Sequence, residues 1–282
     1  MAAMARRGRC ARLRRAWEAG IQGKTGLLDI IDDGPVRRLA LNRPEVRNAL
    51  SLALLKALRA ALRQAEAEGV RCLILTGRGK AFCAGADVLE WSEAEAAGRE
   101  GYDWMAQAHG LIAEMAAFPA PTIALLNGAA VGAGLDLALA CDFRFAADSA
   151  KFVCAYTKVG YSPDCGGSWF LPRLVGIEAA KRFVYTGETW TAPEALQRGL
   201  VTEVHSLDAL EAATHDFARK LANGPTVAQR QAKRLLDAAH ERSLAQQLAA
   251  ELAAGKICAA SEDHKEGLAA AVERREPVFK GK

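Results

Sequence analysis

Two loops of small residues, each placed after a strongly apolar segment, most constrain the fold of this chain. Residues 71–76 (RCLILT) precede the first loop, 81–87 (AFCAGAD), and residues 122–126 (TIALL) precede the second, 127–134 (NGAAVGAG). Short apolar runs bounded by turn residues predict buried strands of a parallel sheet. A short helix predicted over 135–141 follows the second loop, so backbone N–H groups of that loop lie at a helix N-terminus, where they favour negative charge.

The exposed N–H groups of the two loops fit two interpretations. Held side by side, they would stabilise the oxygen that gains negative charge when a carbonyl compound reacts. Alternatively, the small residues only permit tight packing of strand against helix. The spacing leaves both interpretations open, but it argues against a dinucleotide-binding loop, because Leu137 stands where the third glycine after Gly132 and Gly134 is required.

The rest of the pattern predicts an α/β fold with three regions. Residues 1–24 form a basic extension that we expect to be disordered, 25–203 an α/β core, and 204–282 a helical region. Strands are predicted at 36–41, 143–145 and 151–153, and an amphipathic helix after Ser51. Alternating short strands and helices favour parallel pairing. Helices in the last region are predicted at 209–222, 227–240, 244–256 and 264–274.

Composition excludes several classes of function. The net charge of the 282 residues is +4, but residues 1–24 alone carry six Arg and one Lys against one acid, which leaves the remainder slightly acidic. We therefore expect no nucleic-acid partner. The seven Cys show no C-x-x-C pair and no metal-binding spacing, which indicates a reducing compartment, and we expect a cytoplasmic protein. No apolar run is suited to span a membrane.

A resemblance to a known family narrows the two interpretations. The segments LNRP…NAL (41–50), FCAGAD (82–87) and NG…GAGLD (127–136), then SAKF (149–152), G…PD…GG (160–167) and LPR (171–173), closely resemble the crotonase (enoyl-CoA hydratase/isomerase) superfamily. The tail EG…FKGK (266–282) is also similar. The resemblance covers residues 27–282 in order. It implies a spiral of ββα turns, a C-terminal helical trimerisation region, and a homotrimer or dimer of trimers.

The same resemblance implies the residues of an acyl-CoA site. The backbone amides of Ala84 and Ala133 would hold the thioester oxygen, and coenzyme A, as part of the substrate, would be the only cofactor-like group required. A further set of residues is expected to line the path of the substrate or to contribute to it. These are Glu45, Val46, Arg47, Ala84, Gly85, Asp87, Val88 and Tyr156, with His109, Phe279 and Lys282 as additional candidates.

The reaction is indicated by three positions that differ from the hydratases. Hydratases of the family use two glutamates, where this chain has Asp136 and Tyr156, and a phenol with a reference pKa near 10 is a poor base. A new carboxylate, Asp164, matches the isomerases, the phenylacetate-pathway type most closely. We therefore expect double-bond isomerisation by Asp164 with Asp136 as a second acid. An N-cap role for Asp164 is the structural alternative.

Other functions remain open at this point. Hydration is one, and nucleophilic chemistry like that of the haloaroyl-CoA dehalogenases is another, with Asp164 attacking a ring and His109 as helper. A non-enzymatic alternative is an RNA-binding or scaffold member of the superfamily.

Overall fold

The computed structural model describes residues 24–98 and 103–282. The predicted basic extension therefore lies almost entirely outside the described residues. The strands are β1 Lys24–Thr25, β2 Leu28–Asp33, β3 Val36–Leu41, β4 Cys72–Gly77, β5 Ala81–Cys83, β6 Thr122–Leu126, β7 Ala129–Val131, β8 Phe143–Ala147, β9 Lys151–Val153, β10 Thr189–Thr191 and β11 Glu203–His205.

Eleven α-helices are found in the described ranges. They are α1 Leu52–Ala67, α2 Val88–Ala96, α3 Trp104–Ala116, α4 Ala133–Leu139, α5 Gly167–Val175, α6 Ile177–Thr186, α7 Ala192–Gln197, α8 Leu207–Ala222, α9 Thr226–Asp237, α10 Leu244–Ala259 and α11 Glu262–Glu273. Short 3₁₀ turns lie at Pro44–Val46, Tyr156–Val159 and Ala239–Glu241. None of the helices in the described part of the chain has both the length and the apolar character needed to cross a membrane.

Two sheets, built turn by turn, form the core. The first sheet has the order β1-β2-β3-β4-β6-β8-β11, and the second has the order β10-β9-β7-β5. From β3 to β11 every pairing in the first sheet is parallel, and β5, β7 and β9 are parallel in the second. The pairs β4 and β5, β6 and β7, and β8 and β9 each place one strand in the first sheet and the next strand in the second. This arrangement is the predicted spiral of ββα turns.

Local sequence explains the best-defined elements. The Ser51 hydroxyl accepts a hydrogen bond from the Leu54 amide and so caps α1, as predicted. The leucines at 54, 55, 58 and 62 are all buried against the sheet. Five cysteines, at 72, 83, 141, 154 and 165, are also buried and free, and they pack in the interior as small apolar residues.

The boundary predicted between residues 203 and 204 falls inside β11, Glu203–His205. The next helix, α8, packs across the first sheet and buries Leu210, Thr214, Ala218 and Ala222. The core therefore extends to about the end of α8. The helices that follow, α9 to α11, bury far fewer side chains.

Candidate active site

The loop after β5 is fixed by a short parallel bridge to the residues before α1. The Leu50 amide donates to the Gly85 carbonyl over 2.8 Å, and the Asp87 amide donates to the Leu50 carbonyl over 3.2 Å. In such a bridge the amide between the two paired groups points to the opposite side of the strand. That amide belongs to Ala86, and it has no acceptor among the described residues.

The expectation for Ala84 in this loop is wrong. Its N–H donates to the Arg47 carbonyl over 3.0 Å, so it is not available to a substrate oxygen. The unpaired amide lies two residues further on, at Ala86. Spacing alone did not distinguish the two alanines, because only the direction of each N–H group separates them.

The second loop presents its amide beside the first. Gly132 has a φ of 51° and precedes α4, so the Ala133 N–H is the first of the helix and has no acceptor in the described part of the chain. A Cβ added to Gly85 would lie 3.6 Å from the Ala133 nitrogen and 2.8 Å from the Val131 carbonyl oxygen. The two loops therefore adjoin, and glycine at 85 is what permits the close approach.

Asp136 lies on α4, three residues after Ala133, and is fully buried. Burial raises the pKa of its carboxyl to about 7, against the lowering effect of the Tyr156 hydroxyl, which donates to Oδ2. The amides of Gly167 and Cys165 face the carboxyl and also lower its pKa. Neither makes a hydrogen bond of good geometry, so Oδ1 has no partner within the described residues.

Asp164 lies in the loop before α5 and faces Asp136. It is half-buried, and this burial raises the pKa of its carboxyl, while the Cys165 thiol donates to it and lowers the pKa. One carboxyl oxygen of Asp136, one carboxyl oxygen of Asp164 and the Sγ of Cys165 all lie within 4.8 Å of one another. Two carboxyl groups this close titrate as a pair.

Of the other site residues predicted from the sequence, His109 and Tyr156 lie near the two carboxyls. The His109 Nε2 lies 2.7 Å from the backbone oxygen of Asp164, so this nitrogen carries a proton and donates it to the carbonyl. His109 is thus brought to Asp164, although the hydrogen bond uses the main chain. Tyr156 contacts Asp136 directly.

Glu45, Val46 and Arg47 lie exposed on and just after the 3₁₀ turn before α1, and Val88 is 63% exposed at the start of α2. Asp87 caps α2 through the Glu90 amide and forms a 2.8 Å ion pair with Arg43. These contacts within the protein engage the Asp87 carboxylate without a bound ligand. The predicted contacts of this group with coenzyme A stay predictions.

Phe279 and Lys282 lie elsewhere in this chain. The Phe279 carbonyl is 3.4 Å from the Arg71 guanidinium, and the Lys282 carbonyl accepts from the Asp263 amide. Arg71 precedes β4, whereas the two amide loops follow the opposite ends of their strands. Six residues of β4, about 20 Å, separate the two edges. This chain therefore does not bring Phe279 or Lys282 to its own carboxyl pair.

A cavity of about 960 Å³ lies away from the carboxyls, between the core and α9. Its lining includes Phe118, Trp169, Arg173 and Lys233, and neither Asp136 nor Asp164. Phe170, which also lines it, packs beneath Gly166 in the Asp164 loop.

Comparison with known proteins gives consistent results. The family model described as enoyl-CoA hydratase/isomerase matches residues 33–282. A Bacillus subtilis protein described as an enoyl-CoA hydratase/isomerase is 41% identical over 250 residues, covering 86% of this chain and 94% of the relative. The Escherichia coli 1,2-epoxyphenylacetyl-CoA isomerase is 35% identical, covering 91% and 98%.

Among solved structures, an enoyl-CoA hydratase from Bacillus anthracis superposes with a TM-score of 0.85 at 37% identity, covering 91% of this chain and all of the other. The fold, the order of motifs and the match over residues 33–282 confirm the resemblance to the crotonase superfamily. Members of this family act on acyl-CoA thioesters. Because the similar proteins are described as enzymes, the comparisons favour an enzyme over the non-enzymatic scaffold alternative. The chain is an enzyme of the enoyl-CoA hydratase/isomerase family.

Proposed function

We propose that this enzyme moves the double bond of an enoyl-CoA, and that Asp164 takes the proton from the substrate. The observation that carries the proposal is the pair of carboxyls, Asp136 and Asp164, beside two adjoining loops with unpaired amides. The Ala86 and Ala133 N–H groups would hold the thioester oxygen as it gains charge. Ala86 replaces Ala84 in this role because of the direction of its N–H group.

The proton transfers follow from this placement. The Asp164 carboxylate removes a proton from the carbon next to the thioester, and the C–H electron pair moves into an enolate held by the two amides. A proton is then added two atoms away, which shifts the double bond. Asp136 assists this second step. Burial raises the pKa of both carboxyls, to about 7 for Asp136, and so favours alternation between their charged and neutral forms.

Hydration is the second candidate, because Asp136 occupies the position of one hydratase glutamate. Tyr156 argues against it. Its hydroxyl donates to Asp136, which leaves no second carboxylate at that position to activate water. Dehalogenase-like attack by Asp164 is less supported, since His109 is engaged by the Asp164 carbonyl.

Incubation with 3-enoyl-CoA and 2-enoyl-CoA thioesters tests the proposal. Product analysis by mass separates hydration, which adds 18 Da, from double-bond migration, which changes no mass. We expect migration to dominate. Asp164→Asn should lower isomerase kcat at least ~100-fold, the usual contribution of a general base, and should still bind acyl-CoA. Asp136→Asn should cost less. Full activity in Asp164→Asn together with an inactive Asp136→Asn would reverse the assignment and favour a hydratase-like enzyme.

The apolar residues on α10 and α11 support a second proposal, that the enzyme assembles as a homotrimer or dimer of trimers. Leu244, Leu248, Leu252, Leu268 and Val272 are each more than half exposed in the single chain. Apolar side chains repeated along two helices indicate a surface that another copy covers.

A further inference from the structure

The two oxygens of the Asp136 carboxyl are in different environments. The Tyr156 hydroxyl donates to Oδ2, and Oδ1 is buried without a hydrogen-bond partner among the described residues. Both side chains are almost inaccessible, with Asp136 at 0% and Tyr156 at 6% exposure. A Cβ at Gly132 would lie 4.0 Å from the Tyr156 ring, so the tyrosine also adjoins the turn that presents the Ala133 amide.

This asymmetry determines where a proton on Asp136 resides. The Tyr156 hydroxyl has no other acceptor in the described residues, so its own proton points at Oδ2. An oxygen that accepts this hydrogen bond is the carbonyl oxygen of a neutral carboxyl, and the acid proton then belongs on Oδ1. Oδ1 lies in the space left by the missing side chain of Gly167.

We propose that Tyr156 is a positioning residue that directs the proton of neutral Asp136 to Oδ1 and so makes Asp136 the acid partner of the Asp164 base. The inference rests on the proposed isomerase function. Asp164 accepts the proton from one carbon, and the Asp136 O–H bond breaks as its proton is added to the carbon two atoms away. The proton on Asp164 then returns to Asp136, which restores both groups.

The surroundings of the pair support opposite protonation states. Asp136 is fully buried, whereas Asp164 is half-buried, so burial favours the neutral form more strongly at Asp136. The neighbouring thiols are neutral because burial raises their pKa, as it raises the pKa of Tyr156. Among the described residues, the titratable groups facing the pair are Tyr156, Cys154 and Cys165, with Cys83 beyond Cys165 and His109 beyond Asp164.

The test is a direct titration of Asp136 by NMR in protein labelled with ¹³C at the aspartate carboxyl carbon. Asp136→Asn identifies the resonance. In the wild type we expect a midpoint of about 7. Tyr156→Phe removes a donor that lowers the pKa, so the midpoint should rise by about one pH unit. Tyr185→Phe is the matched control, because Tyr185 is 69% exposed on α6, and its midpoint should equal the wild type.

A second, milder substitution keeps the proposal testable if the Tyr156→Phe variant does not fold. Incorporation of 3-fluorotyrosine makes the phenol more acidic and a stronger donor, so the Asp136 midpoint should move below the wild-type value. In both proteins the alkaline limb of isomerase activity should move in the same direction as the midpoint. If Tyr156 had only a structural role, the alkaline limb would not move in opposite directions in the Tyr156→Phe variant and the fluorinated protein.

The outcomes separate the two proposals. A midpoint that is the same in wild-type, Tyr156→Phe and fluorinated protein overturns the inference, whether or not the enzyme isomerises its substrate. Absence of turnover with every enoyl-CoA overturns the proposed function, while the titration still reports on the hydrogen bond. Shifts in opposite directions, with activity limbs that follow them, support both.

Discussion

Gly167 leaves open the space that the carboxyl of Asp136 occupies. A Cβ at position 167 would overlap Asp136 Oδ1, and both residues are buried, so neither can move towards solvent. Gly167 is the first residue of α5, and its backbone conformation does not by itself require glycine. The requirement comes from the carboxyl facing it.

Gly167→Ala should therefore displace Asp136 and lower both stability and activity. Inserting a methyl group into a packed interior costs about 1–3 kcal/mol of unfolding free energy. The matched control is Gly26→Ala, in the turn between β1 and β2, where a Cβ meets no atom within 4 Å and the φ angle is not positive, so the change should be nearly neutral. Thermal unfolding and isomerase assays measure both. Equal melting temperatures and rates in the two variants would show that the site relaxes around the methyl group.

Ala133→Pro should remove one proposed oxyanion donor without breaking α4. Proline is well tolerated at the first position of a helix, where the N–H has no helical acceptor. We expect kcat to fall by about 10²–10³-fold, as for the loss of one such donor elsewhere. Ala133→Gly keeps the N–H and serves as the control, with near-normal kcat. Unchanged turnover in Ala133→Pro, in a protein with normal helix content, would remove this amide from the mechanism.

The raised pKa of Asp136 should make the enzyme less stable as the pH rises. The folded pKa is about 7, and the unfolded value is about 3.9. Between these values the folded state binds more protons, so unfolding free energy falls with increasing pH. Asp136→Asn lacks this loss, and its melting temperature relative to wild type should increase from pH 5 to pH 8.

Assembly should depend on the apolar face of α10. Leu248 and Leu252 are 55% and 64% exposed in the single chain, and Leu248→Asp with Leu252→Asp would place two charges in the proposed contact. Light scattering should give three or six chain masses for the wild type and a smaller species for the double variant. Ala253→Asp, at an exposed position on another face of the same helix, is the control. A wild type that is monomeric at micromolar concentration contradicts the proposal.

The hydrophobic pattern of the sequence predicts the bounds of those strands whose residues are buried in the core. The strands Val36–Leu41, Thr122–Leu126 and Lys151–Val153 have the predicted bounds, because each is a short segment that contains buried apolar residues and is bounded by turns or loops. The sequence predicts loops where the strands β5 and β7 lie. Each strand has only three residues, Ala-Phe-Cys and Ala-Ala-Val, and their pairing comes from the neighbouring turns of the spiral rather than from their own composition.

In the candidate active site, too, the sequence predicts which residues are present but not how they contact one another. Both acids were identified by their positions in the family pattern, and the structure brings them together. The exchange of Ala84 for Ala86 depends on which amide the Arg47 carbonyl occupies. The contact of Tyr156 with Asp136 joins residues twenty positions apart, and no local pattern records it.

The division between main-chain and side-chain groups affects how such an enzyme can diverge. The unpaired N–H groups at 86 and 133 belong to the backbone, so most substitutions at these positions leave them in place. The acids and the phenol are side chains that meet at one point. In the proposed mechanism, exchanges at 136, 156 and 164 therefore change the reaction, while the two amides proposed to hold the thioester oxygen persist. New chemistries can arise in this lineage by few mutations, with recognition inherited unchanged.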